Sequence, residues 1–222
     1  IAYDPQNLKM GLSLQEKTIP QRLKEAGYAT GMVGKWHLGA SHKFHPLNRG
    51  YDFFHGFLGG GHDYFTVSAL RPTGEGYTSP LDHNGQPVGL DGYLTEVLTR
   101  EAVAFIEQPR DKPFFLYVAY NAPHTPLQAP KERLERFAGI QDKKRRAYAA
   151  MVSVMDDGVG ELMAALERTG RRQNTLVCFL SDNGGPTESN ASRNDPLRGG
   201  KGSVWEGGFR VPLVVRWPGV IK

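Results

Sequence analysis

The chain has 222 residues and a single cysteine, Cys178, so no internal disulfide can brace it. Cys178 lies in the apolar run 175–180 with no cationic neighbour to activate it, and it reads as a small, inert core residue. One such thiol leaves the redox compartment open. Long hydrophobic runs are absent too: none approaches the ~20 residues that a membrane-spanning helix needs. The chain opens at Ile1 with neither an initiator Met nor a charged-then-apolar leader, and it stops just past a strand, at Trp217–Lys222. It therefore reads as an internal piece of a longer protein. No P-loop, zinc-finger or RNP pattern occurs, so nothing in the motifs points to a nucleotide or to nucleic acid.

Present in ordinary amounts are hydrophobic residues, 39%, and charged residues, 23%. Those proportions fit one α/β domain with a sizeable core. Gly 27 and Pro 15 are plentiful, which predicts many turns. The net charge of +4 draws largely on Lys131–Arg146. Two readings follow: a surface that attracts polyanions, or, favoured here, a solvated helix face.

The chain is organised around 27–39, GYATGMVGKWHLG. It predicts a helix end, a short apolar strand over Ala29–Val33, and a glycine turn at Gly34. Lys35 and His37 follow at the strand's carboxyl end, where α/β proteins place their sites. Lys supplies a fixed charge and His a proton carrier near neutral pH, a pair suited to an oxyanion; a loop with a solvated Lys and a packed Trp-His pair is the alternative.

Upstream, Ser13–Glu16 has the form of a capping box that opens a helix ending at Gly27. Downstream, Ala40–Leu90 is irregular. Its most distinctive part is NRGYDFFHGFLGGGHDYF, residues 48–65. His62 and Asp63 there are open to two readings, substrate contact or packing and capping. Asp91 is placed to cap a helix reaching about Gln108, with Leu94, Val97, Leu98, Ala102, Phe105 and Ile106 as its core stripe. The apolar run 114–120 reads as a strand buried on both faces. It ends in Asn121-Ala-Pro-His-Thr-Pro126, which holds His124 between two prolines.

A long helix is predicted over Lys143–Gly170, with Met151, Val154, Met155, Val159, Leu162, Met163 and Leu166 as its buried stripe. Asp156 and Asp157 point about 100° apart and read as surface charges. The run 175–180 reads as another buried strand, ending in Ser181-Asp-Asn-Gly-Gly185. Asp182 and Asn183 there offer two hard oxygens suited to Ca2+ or Mg2+; an Asx turn is the alternative. Lys201 sits among Gly199, Gly200 and Gly202, where backbone can approach an anion closely. Val211–Trp217 reads as a last strand. This order predicts a mainly parallel sheet with helices on both faces. The strand ends would gather Lys35, His37, His124, Asp182, Asn183 and Lys201 at one edge, a pocket that neutralises an oxyanion and protonates a leaving oxygen.

Four segments, GYATGMVGKWHLG, FFLYVAYNAPHTP, LVCFLSDNGG and PLRGGKGSVWEGGFRVPLVVRWPG, resemble the sulfatase family in the family's order, from about residue 11 to 219. The resemblance implies an alkaline-phosphatase-like α/β fold, with residues 1–222 as part of the catalytic domain. It implies hydrolysis of sulfate esters of a sulfated glycan or aryl compound, with Ca2+ as cofactor. By the same resemblance Lys35 contacts the sulfate and the nucleophile, and His37 takes a proton from a formylglycine hydroxyl. His124 contacts sulfate and leaving oxygen, Asp182 and Asn183 ligate Ca2+, and Lys201 steadies the leaving group. The family's C/S-x-P-x-R motif, source of the formylglycine, does not occur in this chain. The chain alone is therefore expected to be inactive. The resemblance implies a periplasmic, lysosomal or extracellular setting. A phosphodiesterase or phosphonate hydrolase of the same superfamily and a non-catalytic polyanion-binding domain are the competing expectations.

Overall fold

The computed structural model describes residues 9–67 and 78–221. The start of the chain, Lys222 and part of the 40–90 loop on which expectations were placed lie outside the described residues. The chain divides into two compact units, residues 1–122 and 123–222.

In the first unit the strands β1 (Ala29–Lys35), β2 (Phe53–Phe57), β3 (Leu81–His83), β4 (Gln86–Val88) and β5 (Phe114–Ala119) form one sheet, ordered β4-β3-β2-β1-β5. β1 pairs in parallel with both β2 and β5, while β2–β3 and β3–β4 are antiparallel. The sheet is thus mixed, with the expected parallel strands at its heart. β2 was hidden in the irregular stretch, because a His and a Gly interrupt its apolar run.

The pleat divides the core cleanly. Gly31, Phe53 and Phe114 face one side, where Phe105 of α2 (Leu94–Glu107) packs against both phenylalanines. A side chain at 31 would collide with the Phe105 ring, so Gly31 is the groove into which α2 sinks. Met32 and Phe54 face the other side and join Trp36 and Tyr51 in a buried cluster. All six predicted stripe residues of α2 are buried. Its N-cap is Tyr93 rather than Asp91.

α1 (Ile19–Glu25) starts later than the sequence suggested. Its capping box is Thr18 with Gln21, and Pro20 supplies a φ already fit for a first turn. Ser13 instead closes a local turn with Glu16. The buried Arg49 fastens that turn, donating from Nη2 to the Ser13 and Glu16 carbonyls, each at 2.9 Å. α1 packs against β1 as α2 does, so helices flank the sheet.

β5 is half-buried rather than buried on both faces, with Tyr117 46% exposed. Among the described residues it is the last strand of the sheet, with a neighbour on one side only.

The second unit contains α3 (Lys131–Arg136), α4 (Lys143–Arg168), and an antiparallel pair of strands, β6 (Val177–Leu180) and β7 (Leu213–Arg216). α3 buries nothing and α4 opens with four exposed or half-exposed cations, as a solvated face should. Asp142 caps α4 through the Arg145 amide, and Arg133 pairs with Asp157, one of the predicted surface charges. On α4, Met151, Val154 and Leu166 are fully buried and the rest of the predicted stripe is half-buried. β6 departs most from expectation. Phe179 and Leu180 are exposed, and so is Cys178, which is not a core residue here. Among the described residues β6 pairs only with β7, and a two-stranded ribbon has no third layer to bury its faces.

Candidate functional site

Lys35 is the last residue of β1 and half-buried. It is carried there by Gly34, whose φ of +108° suits glycine and whose absent side chain lets the Ala119 carbonyl of β5 close in. Gly56 of β2 does the same on the other flank, against the Gly34 carbonyl. Two glycines thus let three parallel strands converge where the chain leaves the sheet.

The exit is fixed by main-chain bonds. The Trp36 amide donates to the Phe57 carbonyl at 3.0 Å and the His37 amide to the Leu58 carbonyl at 3.2 Å. Trp36 is buried and donates its indole N–H to the Phe44 carbonyl at 2.9 Å. His37 takes a left-handed φ of +52°, which costs about 1–2 kcal/mol for a residue with a Cβ. That strain is held by the surrounding bonds, a pattern found at functional positions. Its Nε2 stands 2.8 Å from where a side chain on Gly60 would begin, so Gly60 is the floor beneath the ring. Lys35 and His37 therefore both lie on a short, braced turn at a parallel strand's carboxyl end.

His62 and Asp63 have partners of another kind. His62 is fully buried, with Nδ1 at 2.6 Å from the Asp63 carbonyl and Nε2 at 2.7 Å from the Ser79 carbonyl. Its own carbonyl accepts from Asn121 at 2.9 Å. The Asp63 carboxylate accepts the Phe65 and Thr66 amides at 2.9 and 2.8 Å. These are the contacts of the packing-and-capping reading, and we take no substrate contact from them.

The second unit holds the other four residues. His124 is half-buried, with Nδ1 at 2.7 Å from the Thr125 carbonyl. Asp182 and Asn183 follow β6, and Lys201 lies on the loop before the short helix Glu206–Phe209 that precedes β7. The two loops are laced together. The Gly184 amide donates to the Gly208 carbonyl at 2.9 Å. Asn194 accepts the Gly185 amide and donates to the Gly185 and Gly199 carbonyls, at 2.9, 2.9 and 3.0 Å. Gly184 has no room for a side chain, which would meet the Gly207 carbonyl. So Asp182, Asn183 and Lys201 sit on one laced assembly.

Asp182 is exposed, and the Asn183 Nδ2 donates to the Gly184 carbonyl at 3.0 Å, which fixes the plane of the amide. The donor set of a carboxylate and an amide oxygen on a tight turn suits Ca2+ in kind, and it supplies two of the six to eight oxygens that this ion takes. Asn194, which organises these loops, gave no signal in the sequence; it lies in a Ser/Asn/Asp-rich stretch whose bonds only the fold decides.

A further cluster was also missed. His55, His83 and Glu101 of the first unit bring three ligand atoms within 4.8 Å of one another, a potential metal-binding triad. Burial of His55 disfavours its cationic form and lowers its pKa, against the opposing pull of Glu101.

A family model described as Sulfatase matches residues 2–222. The chain belongs to the sulfatase family. It is 42% identical over 211 residues to arylsulfatase J of Mus musculus, covering 93% of this chain and 35% of that protein. It is 35% identical over 231 residues to N-acetylgalactosamine-6-sulfatase of Rattus norvegicus, covering 99% and 43%. Among solved structures, Ps i-CgsB in complex with k-i-k-neocarrahexaose superposes with a TM-score of 0.90 at 46% identity, over 94% of this chain and 49% of that one. The chain thus spans between about a third and a half of the proteins it matches. No helix among the described residues is long and apolar enough to cross a membrane.

Proposed function

We propose that residues 1–222 are part of the catalytic domain of a hydrolase that cleaves sulfate esters of a sulfated glycan. The observation that carries this reading is the braced turn at the end of β1, where Lys35 ends the strand and the strained His37 follows two residues later. In the overall reaction the S–O bond of R–O–SO3⁻ breaks, water supplies the oxygen that sulfur gains, and the alcohol R–OH leaves with a proton. Lys35 neutralises the negative charge of the sulfate oxygens. His37 holds and passes a proton near neutral pH, and the ring over Gly60 is fixed to do so. His124 serves as a second proton carrier and Lys201 as a counter-charge for the leaving oxygen. Asp182 and Asn183 would hold Ca2+, which when bound supplies positive charge. No C/S-x-P-x-R segment lies in these residues, so we derive no step through a formylglycine. The glycan assignment is supported by similarity to N-acetylgalactosamine-6-sulfatase and to a neighbour solved with an oligosaccharide.

The test compares sulfate and phosphate release from matched aryl esters by the protein that carries this chain, then by its Lys35→Ala variant. Sulfate release is expected to dominate, and Lys35→Ala to slow it by about 10²–10³-fold, the usual effect of removing one preorganised charge-stabilising group. Dominant phosphate release would move the protein to the phosphoryl side of the superfamily. Heparin binding without turnover, unchanged in Lys35→Ala, would make it a polyanion-binding domain. The 222-residue chain by itself is expected to release no sulfate.

A further inference from the structure

We propose that His55, His83 and Glu101 form a binding site for a transition-metal dication, Zn2+ foremost, which staples α2 to the antiparallel β2–β3 pair.

The residues are placed by regular geometry. His55 on β2 and His83 on β3 are directly opposed partners in an antiparallel pair, so their side chains leave the same face of the sheet. Phe53, two residues before His55, shares that face and meets Phe105 of α2. Glu101 stands one helical turn before Phe105 and is thereby aimed at the same patch. The three side chains converge because the sheet face and the helix face that carry them are packed together.

The distances suit a metal. The two Nδ1 atoms are 3.0 Å apart, and Glu101 Oε2 is 3.8 Å from that of His55 and 3.9 Å from that of His83. A triangle with those sides has a circumradius of about 2.1 Å, the bond length that Zn2+ takes to imidazole nitrogen and carboxylate oxygen. One point therefore lies at coordination distance from all three atoms without moving any of them. Two imidazoles and one carboxylate are ligands for Zn2+ and its neighbours rather than for Ca2+, which takes oxygen only.

The surroundings agree. His55 is buried, and among the described residues its Nε2 has no hydrogen-bond partner, while Nδ1 faces the other two groups. His83 is 42% exposed in its side chain, and a shallow depression bordered by Phe53, His83, Glu101 and Phe105 opens onto the cluster. An ion has a route in.

The site is independent of sulfate hydrolysis, so it is tested by binding. The protein that carries this chain is stripped with a chelator, returned to excess Ca2+ to fill oxygen sites, and titrated with Zn2+ alone by calorimetry. Wild type is expected to take up one equivalent through this cluster. His83→Ala and Glu101→Gln are expected to weaken that uptake by about 100-fold or more, since losing even an outer-shell partner costs 10–100-fold. The exposed His42→Ala serves as the control and is expected to bind as wild type. Co2+ in place of Zn2+ gives a visible spectrum, and that spectrum is expected to change in Glu101→Gln. His83 is partly exposed and Glu101→Gln conserves shape, so near-ultraviolet circular dichroism is expected to show both variants folded. Absence of Zn2+ uptake by wild type, or uptake equal in wild type and both folded variants, would overturn the site. The two histidines would then be a plain hydrogen-bonded pair.

Discussion

Two of the places that carry the sulfatase-like residues are built by different means. The turn after β1 rests on burial. Met32, Val33 and Phe54 are fully buried beneath it, and Trp36 anchors its first residue. The loops that carry Asp182, Asn183 and Lys201 follow a ribbon whose Phe179, Leu180, Leu213 and Val214 are exposed. Their shape comes from glycine-to-carbonyl approach and from one asparagine that ties three main-chain groups. Apolar burial is non-directional and is spread over many contacts, so it tolerates local loss. A hydrogen-bonded lacing concentrates its strength in a few atoms.

The largest effect should come from the core beneath the first site. Met32 is wholly buried between β1's neighbours and the Trp36 cluster. Met32→Ala is expected to cost about 2–5 kcal/mol in urea unfolding, the range for truncating a large core side chain. A loss below about 1 kcal/mol would show that the cluster is not what holds the β1 turn.

Next in size is the lacing of the second region. Asn194→Ala removes the partner of the Gly185 amide and the Gly199 carbonyl and leaves the Gly185 carbonyl with only the longer bond from the Lys201 amide, at about 1–3 kcal/mol if they stay dry. Because the ribbon is exposed, part of that cost is expected to be recovered as local opening rather than global unfolding. Hydrogen exchange should therefore quicken at Gly184, Gly185 and Gly200 while α4 stays protected. Uniform exchange across the second unit would mean that its loops and helix open as one body.

The same contrast explains what could be read from the sequence. α2, α4 and the parallel strands β1 and β5 announce themselves through periodic or continuous apolar residues, and Lys35 and His37 stand out against that pattern. β6 shared the signal and proved exposed, because an apolar run shows that a strand is apolar and not that a layer covers it. β2 escaped notice because its interior His55 and Gly56 serve a cross-strand pair and a close backbone approach, neither of which has a sequence period. His62 stood out as a polar residue after three glycines, yet its partners are carbonyls at Asp63 and Ser79, one of them distant in sequence. Asn194 and the triad of His55, His83 and Glu101 belong to the same class, since their meaning lies in which segments the fold brings together.

The smallest effect sharpens the comparison from the other side, because the first region also has a polar fastener. Asp52 accepts the Thr30 amide and hydroxyl, each at 3.0 Å, and pairs with Lys24. Burial raises its carboxyl, but the hydrogen bonds from Lys24 and Thr30 and the Lys24 charge outweigh that and hold the pKa below the usual range. The folded protein thus binds this proton less readily than the unfolded chain. Its stabilisation is complete above the ordinary aspartate range and is lost as pH falls through the lowered folded value. The side chain is 42% exposed, so the contribution is screened and Asp52→Asn is expected to cost less than about 1 kcal/mol near neutral pH. In dilute acid, where wild type is itself protonated, the two proteins should melt together. If burial holds β1 in place, this fastener is dispensable; a loss near that of Met32→Ala would show that the first region, like the second, depends on a few directed bonds.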